Sequence, residues 1–576
     1  MSAPLLRRNG ILHTVTWEQA YEHVVHKFSE LQQKRRQVGV IGSASSTNEE
    51  SYLTAKLARA ALRTNNVDCY LRIAYQPMLD GIVKVCGQLP PALSFGELEE
   101  CKTIILVEGD LKSTHPQVAF SVMKAIRNGA NLVTVGAVRT HMSRLASFHL
   151  FAEPGKEDEV INGMLGAVIA LGLLDRSSVE KGCNGYETLV RNVAAFRATE
   201  QIGQAAELVA RAKHAAFLLS PMGASSEQEQ ANAAGIVSLA GICGHLNRRG
   251  SGLLPLVPRN NFWGAWDNGV SPIHLPDKKS ITSDMAPEPF RTVWGPQAAL
   301  GPGLSADGML DVVKGLVVVG ADVSTSFNKG KNAIASLKAM DCVVALDAFV
   351  TPTTQAAHVV LPIACFAETE GTFTNIEGRV QSLQVVQNPT GNAKQGWRVL
   401  AELIGKLSGK PVCASLADLT KERSNLISSY PGKSRHSQVP TPGGRSEDIN
   451  SLSLHCATGV EVRSKDFPCV LFCGGVLDWG SDPLVKYSPT LCRDHVSQRK
   501  LFPEGVLEIA REDADNLGVR QGWKIKITSQ SGEARLSVIV NEGIKPGVAH
   551  LPFAFRESAS NVLAGKKAVA VRIEKL

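Results

Sequence analysis

Two stretches of this chain carry side chains whose types and spacing could do chemistry. The first is NVDCYLRIAYQP, residues 66–77, where Asp68, Arg72, Tyr75 and Pro77 suit the rim of a cofactor site on a loop. At its centre stands Ala74, whose methyl offers no lone pair, acid or base. The second is LPIACFAETEGTFTNIEGRVQ, residues 361–381. Its Glu368, Thr372, Thr374, Asn375, Glu377, Arg379 and Gln381 are too dense for a core strand. A buried polar network destabilises unless fully paired, so this density points to recognition of something polar. A third candidate is SASSTNEE, residues 43–50, where Ser45 and Asn48 stand at the start of a helix whose N–H groups could receive a phosphate.

Metal chemistry has less support. Twelve cysteines are scattered without a CxxC pair, which reads as reduced thiols in a cytosolic protein. Cys469 and Cys473 share one strand, and four strand residues span ~13 Å, too far for a common metal. His23 and His26 lie one turn apart on a helix and read as a solvated face.

The elements that must position these residues alternate in type. Thr16 and Gln19 have capping-box spacing, and Trp17, Ala20, Tyr21, Val24, Phe28 and Leu31 recur at helical period. VGVIG at 38–42 is a buried strand, followed by a helix with Thr47 and Glu50 as a second capping box. Further strands are expected at 103–109, 132–136, 215–223, 315–322 and 342–349, with helices between most of them. Such alternation argues for doubly wound parallel sheets, with ligands at the carboxyl ends of the strands. Without a G-x-G-x-x-G or Walker loop, a rival reading as an ordinary nucleotide-binding module lacks its fingerprint. Residues 411–465 are polar and rich in Ser, Pro and Gly, and read as a linker. Beyond them the period changes to two, with SQSGEA as a hairpin signal, so the last ~110 residues read as a β-barrel.

The chain's 576 residues suffice for about three to four domains. The net charge of +7 is mild for this length and no long basic run occurs, so nucleic acid is not an expected partner. No apolar run approaches the ~18–20 residues that span a bilayer, and LRRNGIL is not followed by an export signal. A cytoplasmic protein without direct membrane insertion is expected.

Residues 361–381, together with VTWEQAYEHV, GSASSTNEESYLTAKLARA with TNNVD, PGKEDEVING, GICGHLNRRGSG, PRNNFWGAWDNG and FPEGVLEI…GIKPGVAHLPF, resemble the molybdopterin oxidoreductase superfamily over nearly the whole chain, in the family's order. The resemblance is strongest to formate dehydrogenase large subunits and to the molybdopterin-like subunit of bacterial complex I, the NADH-quinone oxidoreductase. It implies an α/β fold of two Rossmann-like domains with a C-terminal double-psi β-barrel. The expected boundaries are 1–110 with 305–410, then 111–304, a linker 411–465, and the barrel 466–576.

The departures from that family concern chemistry. Formate dehydrogenases place a metal-ligating cysteine or selenocysteine and a proton-handling histidine where this chain has Ala74 and Tyr75; Arg72 and Pro77 are retained. Tyrosine, with a pKa near ~10, is a poor proton acceptor at neutral pH. The family's substrate arginine falls on Val257, with Arg259 two residues away. Each such group is typically worth ~10²–10⁴ in rate. Gly136 occupies the position of the acid that reads guanine, and Gly155, Lys156 and Glu157 replace a Gly-Thr-Asp motif. Retained are Ser45, Asn48, Arg72, Gly250, Ser251, Gly252, Asn260, Asn261, Asp267, Glu368, Gly371, Thr372 and Asn375, which either bind a pterin dinucleotide or simply hold loops together.

The resemblance therefore implies a family member without a catalytic residue or protein metal ligand. Its cofactor would be none, or molybdopterin guanine dinucleotide without metal. No Cys₄ spacing occurs, so no iron–sulfur cluster is expected in this chain. Its partners would be iron–sulfur subunits of an NADH-linked complex, docking near residues 1–16, in the cytoplasm or at the inner membrane face through that complex. The rival is an active molybdenum or tungsten oxidoreductase of formate dehydrogenase type.

Overall fold

The structure is a computed structural model describing residues 1–246, 248–281, 288–299, 301–325, 332–427, 451–473, 483–488 and 501–576. The chain divides into two compact units. One comprises Met1–Ile73, Arg259–Thr441 and Tyr487–Pro489; the other comprises Ala74–Pro258, Pro442–Lys486 and Thr490–Leu576.

The first unit opens with β1 (Leu5–Arg8) and β2 (Ile11–Thr14), then α1 (Trp17–Gln33), β3 (Val38–Gly42), α2 (Asn48–Lys56) and β4 (Val67–Cys69). Thr16 and Gln19 cap α1 reciprocally, and Thr47 and Glu50 cap α2 in the same way. The buried face of α1 is Ala20, Tyr21, Val24, Phe28 and Leu31, as the helical period requires. The seven-stranded sheet runs β2, β1, Val359–Pro362, Cys342–Asp347, Gly315–Val319, β3, β4. Its strands pair in parallel from Val359–Pro362 through to β4. One of its cores gathers Ile41, Met309, Leu316, Val318, Val343 and Val360.

Residues 72–86 correct the loop expectation. They form a helix, α3 (Arg72–Cys86), that takes in Ala74, Tyr75 and Pro77. Ala74, Tyr75, Met78, Leu79, Ile82, Val85 and Cys86 are buried. Their i, i+4, i+8 recurrence makes a helix with one apolar face, and this outweighs the proline inside it.

In the second unit β5 (Thr103–Val107), β6 (Asn131–Gly136) and β7 (Phe148–Phe151) join Ala215–Leu219 and Gly252–Pro255 in a fully parallel sheet. The expected boundary at residue 110 puts β5 in the first domain; it lies instead at the centre of this second sheet. An apolar run such as TIILV carries no mark of which sheet it will enter.

Cys469–Cys473, Val506–Ile509, Lys524–Ser529, Gly532–Val540, Val548–Leu551 and Ala568–Lys575 close into a six-stranded barrel. Two of its pairings are parallel and the rest antiparallel, the double-psi arrangement. Val470, Phe472, Ile544, Val548 and Ala568 of this region pack with Ala137 and Ala224.

The expected linker at 411–465 holds ordered elements. The helix Leu416–Ser424 buries Leu419 and Arg423, and Leu452–Ser453 pairs with Cys183–Asn184. Residues 428–450 of that stretch lie outside the described residues. Among the described residues, no helix is long and apolar enough to cross a membrane.

Candidate functional site

In the first unit the candidate residues are joined by a network of hydrogen bonds and one buried ion pair. Asn48 Nδ2 donates to Thr372 Oγ1 at 3.0 Å and to Thr374 Oγ1 at 3.1 Å. Thr372 donates its N–H to Glu49 Oε2 and its hydroxyl to Glu49 Oε1, both at 2.8 Å. Arg423 Nη1 pairs with Glu49 Oε1 at 2.6 Å, and both side chains are buried. Asn261 donates to the Ser46 carbonyl at 2.6 Å and accepts from Thr374 N–H at 2.7 Å. These bonds staple the 43–50 loop to residues 371–375 and to Asn261. A Cβ on Gly371, at φ +148°, would stand 2.6 Å from Glu49 Oε2, which is why glycine is needed there. Glu50 closes the cap of α2, and burial pushes its carboxyl up to about 7.

The other candidates of this unit act locally. Ser45 N–H donates to Ser43 Oγ at 3.0 Å. Asn375 Oδ1 accepts from the N–H groups of Glu377 and Arg379, closing its own turn. Glu368 accepts from Cys365 N–H at 3.0 Å and from the Thr390 hydroxyl at 2.9 Å. Burial acts to raise its carboxyl, but these bonds outweigh it and hold the group low. Asp267 pairs with Lys278 at 3.2 Å. Asn260 is exposed, and Arg259 is half-buried at φ +65°. Arg72 forks onto Asp68, Nε to Oδ1 at 2.6 Å and Nη2 to Oδ2 at 3.1 Å.

In the second unit Ala74 and Tyr75 are buried. Lys567 Nζ donates to the Ala74 carbonyl at 3.2 Å and forms an ion pair with Glu229. Burial pushes the Lys567 ammonium down to about 7; the Glu229 carboxylate pulls the other way. Val257 is buried, and its carbonyl accepts from His115 Nε2 at 2.8 Å. Ser251 Oγ accepts from Ala215 N–H at 3.1 Å, and Gly250 and Gly252 take φ +76° and +152° at the entry to the strand Gly252–Pro255.

This unit also contains a cleft of about 380 Å³ at the carboxyl ends of β5 and β6, closed on its other side by the barrel. Glu108, Asp110, Arg139, Arg144, His149, Phe472 and His550 line it. Asp110 Oδ1 and His149 Nε2 are buried there without a hydrogen-bond partner. Two buried polar atoms left unsatisfied in a cleft of this size fit a polar, nucleotide-like group. Position 74, in contrast, presents only a methyl, so this chain offers no ligand atom to a metal there. Among the described residues, no group of three or more His, Cys, Asp or Glu could hold a metal ion. The sequence reading missed Glu49, Arg423, Glu108, His149, Glu229 and Lys567. The available signal was slight: Glu108 ends the apolar run of β5, where parallel sheets present ligands.

One mixed and one fully parallel sheet, a double-psi barrel and a nucleotide-sized cleft at strand ends describe a pterin-dinucleotide-binding architecture. Residues 1–406 match the molybdopterin oxidoreductase family and residues 486–571 its dinucleotide-binding domain, so the chain belongs to the molybdopterin oxidoreductase family. It is 28% identical to the F420-dependent formate dehydrogenase 2 subunit alpha of Methanococcus maripaludis, over 100% of this chain and 91% of that protein. It is 26% identical to the NADPH-Fe(3+) oxidoreductase subunit alpha of Geobacter sulfurreducens, over 93% of this chain and 64% of that one. Among solved structures, acetylene hydratase from Pelobacter acetylenicus superposes with a TM-score of 0.70 at 18% identity, covering 100% of this chain and 92% of its own, a likeness of fold.

Proposed function

We propose that this chain is a metal-free, non-catalytic family member serving as a subunit of an NADH-linked electron-transfer complex, in the manner of the molybdopterin-like subunit of bacterial complex I. The observation that carries the reading is residue 74. A buried methyl in the first turn of α3 supplies no ligand atom, and the Lys567 ammonium is engaged at that residue's carbonyl. Tyr75 and Val257 remove proton handling and anion binding in the same way. The retained polar residues then hold the scaffold, with or without a pterin dinucleotide. Iron–sulfur clusters belong to partner chains, and β2, the outer strand of the first sheet with Ile11 64% exposed, suits their docking near residues 1–16. The complex places the chain in the cytoplasm or at the inner membrane face.

A second reading is supported by full-length similarity to a formate dehydrogenase alpha subunit. Molybdenum or tungsten would be held by pterin sulfurs and water, with Tyr75, Arg72 and Arg259 meeting substrate. Mass-spectrometric metal analysis of protein purified from its native cell, with identification of attached chains, decides between them. The first reading expects iron–sulfur partners and no stoichiometric molybdenum or tungsten. One metal per chain with formate turnover would replace it by the second.

A further inference from the structure

The first unit has a strand edge that its own fold leaves open. Gly371–Thr374 and Val380–Leu383 form a two-stranded antiparallel ribbon, with Thr372 opposite Ser382 and Thr374 opposite Val380. The outer side of Gly371–Thr374 is closed by side chains. Thr372 N–H donates to Glu49 and Thr374 N–H to Asn261, so both residues turn their backbone groups away from Val380–Leu383. In an antiparallel ladder, two residues directly opposite each other aim their backbone groups either both inward or both outward. Val380 and Ser382 therefore aim N–H and C=O outward on the far side. No other strand pairs with that side among the described residues.

This edge lacks the usual guards. Natural edge strands avoid association through charged side chains, proline or bulges. Residues 380–388 contain neither a charged residue nor a proline. The charges of the hairpin, Glu370, Glu377 and Arg379, stand at its ends. Past Leu383 the chain exposes Val385 and Val386, the second by 83%. Val386 N–H donates to the Ala367 carbonyl at 2.9 Å, which sets these valines beside Phe366, itself 52% exposed. An open backbone edge next to exposed apolar side chains is a pairing surface.

Charge selects what covers it. A two-fold interface sets a patch against its own copy, so a charge near the axis meets its like. An edge without charge pairs with itself at no such cost, and it offers nothing for a foreign acidic or basic strand to complement. We propose that this chain pairs with a second copy of itself through Val380–Leu383, antiparallel across a two-fold axis at Ser382. Ser382 then exchanges both backbone hydrogen bonds with its counterpart, Val380 faces the second copy's Gln384, and two ribbons become one four-stranded sheet. Neither cofactor nor electron transfer enters this inference, so it stands or falls separately from the proposed function. A contact of this size is smaller than the ~1,600 Å² of a standard stable interface, so the dissociation constant is on the order of 1–100 µM.

Sedimentation equilibrium of the purified full-length chain, over a range from about 1 to about 200 µM, tests this. The average mass should rise from one chain toward two. Ser382 is exposed, so charge there leaves the ribbon's own hydrogen bonds intact. Ser382→Lys and Ser382→Asp each set like charges across the axis and should each weaken the dimer roughly tenfold or more. An equal mixture of the two should recover it, a rescue that a damaged hairpin could not give. If either variant fails to fold, Ser382→Cys decides. Directly opposed Cα atoms lie ~5.5 Å apart, within disulfide reach, so mild oxidation should give a covalent dimer that wild type does not form. A chain that stays monomeric over the whole range would overturn the proposal. So would charged variants that dimerise like wild type, a mixture that stays monomeric, or a folded Ser382→Cys protein that does not cross-link. Hydrogen-exchange protection of residues 380–387 only in a complex with a different chain would assign the edge to a foreign strand and overturn it as well.

Discussion

At the scale of single residues, the second unit depends on charges placed where water is scarce. The Lys567 and Glu229 side chains are only 12% and 1% exposed, so each is the other's main compensation. Removing one leaves a buried uncompensated charge. Lys567→Met is expected to destabilise the protein by ~3–5 kcal/mol, and adding Glu229→Gln should recover part of that loss. Urea unfolding of the three proteins checks this; purely additive losses would contradict the coupling. Glu50 offers a pH test. Its folded value of about 7 lies above the ordinary 4.5, so its contribution is full below pH ~4.5 and is lost as pH rises through ~7. Glu50→Gln keeps the capping geometry and should therefore gain stability relative to wild type between about pH 5 and about pH 8, as read by melting temperature. A constant difference across that window would place the carboxylate in a more polar environment than its burial indicates.

At the scale of elements, the start of α2 gathers structure from three distant parts of the chain. Thr372 and Thr374, Asn261 and Arg423 all converge on residues 46–49. Gly371 allows that approach. Gly371→Ala puts a methyl against Glu49 and Thr47 at a φ that alanine resists, and should destabilise by about 1–3 kcal/mol. Hydrogen exchange should show faster opening of the first turn of α2 in this variant, with α1 unaffected. Equal protection in both would mean the staple carries little load. Here sequence is a partial guide. The caps of α1 and α2 are legible because their partners lie three residues apart. Residues 66–77 read as a loop when weight is placed on Ala74 and Pro77, which hides the apolar face that recurs at helical period through the helix at 72–86.

At the scale of the molecule, the chain crosses between units at Ile73–Ala74 and Pro258–Arg259, so neither unit is one continuous segment. Barrel residues Val470, Phe472, Val548 and Ala568 share a core with Ala137 and Ala224 of the second unit. A chain ended after residue 465 should expose that core and appear in the insoluble fraction; a soluble, monodisperse truncation would show that the barrel is dispensable for this unit's fold. Apart from the helix at 72–86 and the ordered elements within 411–465, the element types are legible in the residues alone, as are the parallel runs of strands, the barrel and the absence of a ligand atom at position 74. These depend on local period, short-range capping and residue chemistry. Only the tertiary structure decided that β5 belongs to the second sheet, that Arg423 lies in the first unit's buried network rather than in a linker, and that Glu108 fills the space beside Gly136. Arg423 and Glu49 are 374 residues apart, and Lys567 and Glu229 are 338 apart. Such pairs leave no periodic trace in the sequence, because what brings them together is the burial of other residues.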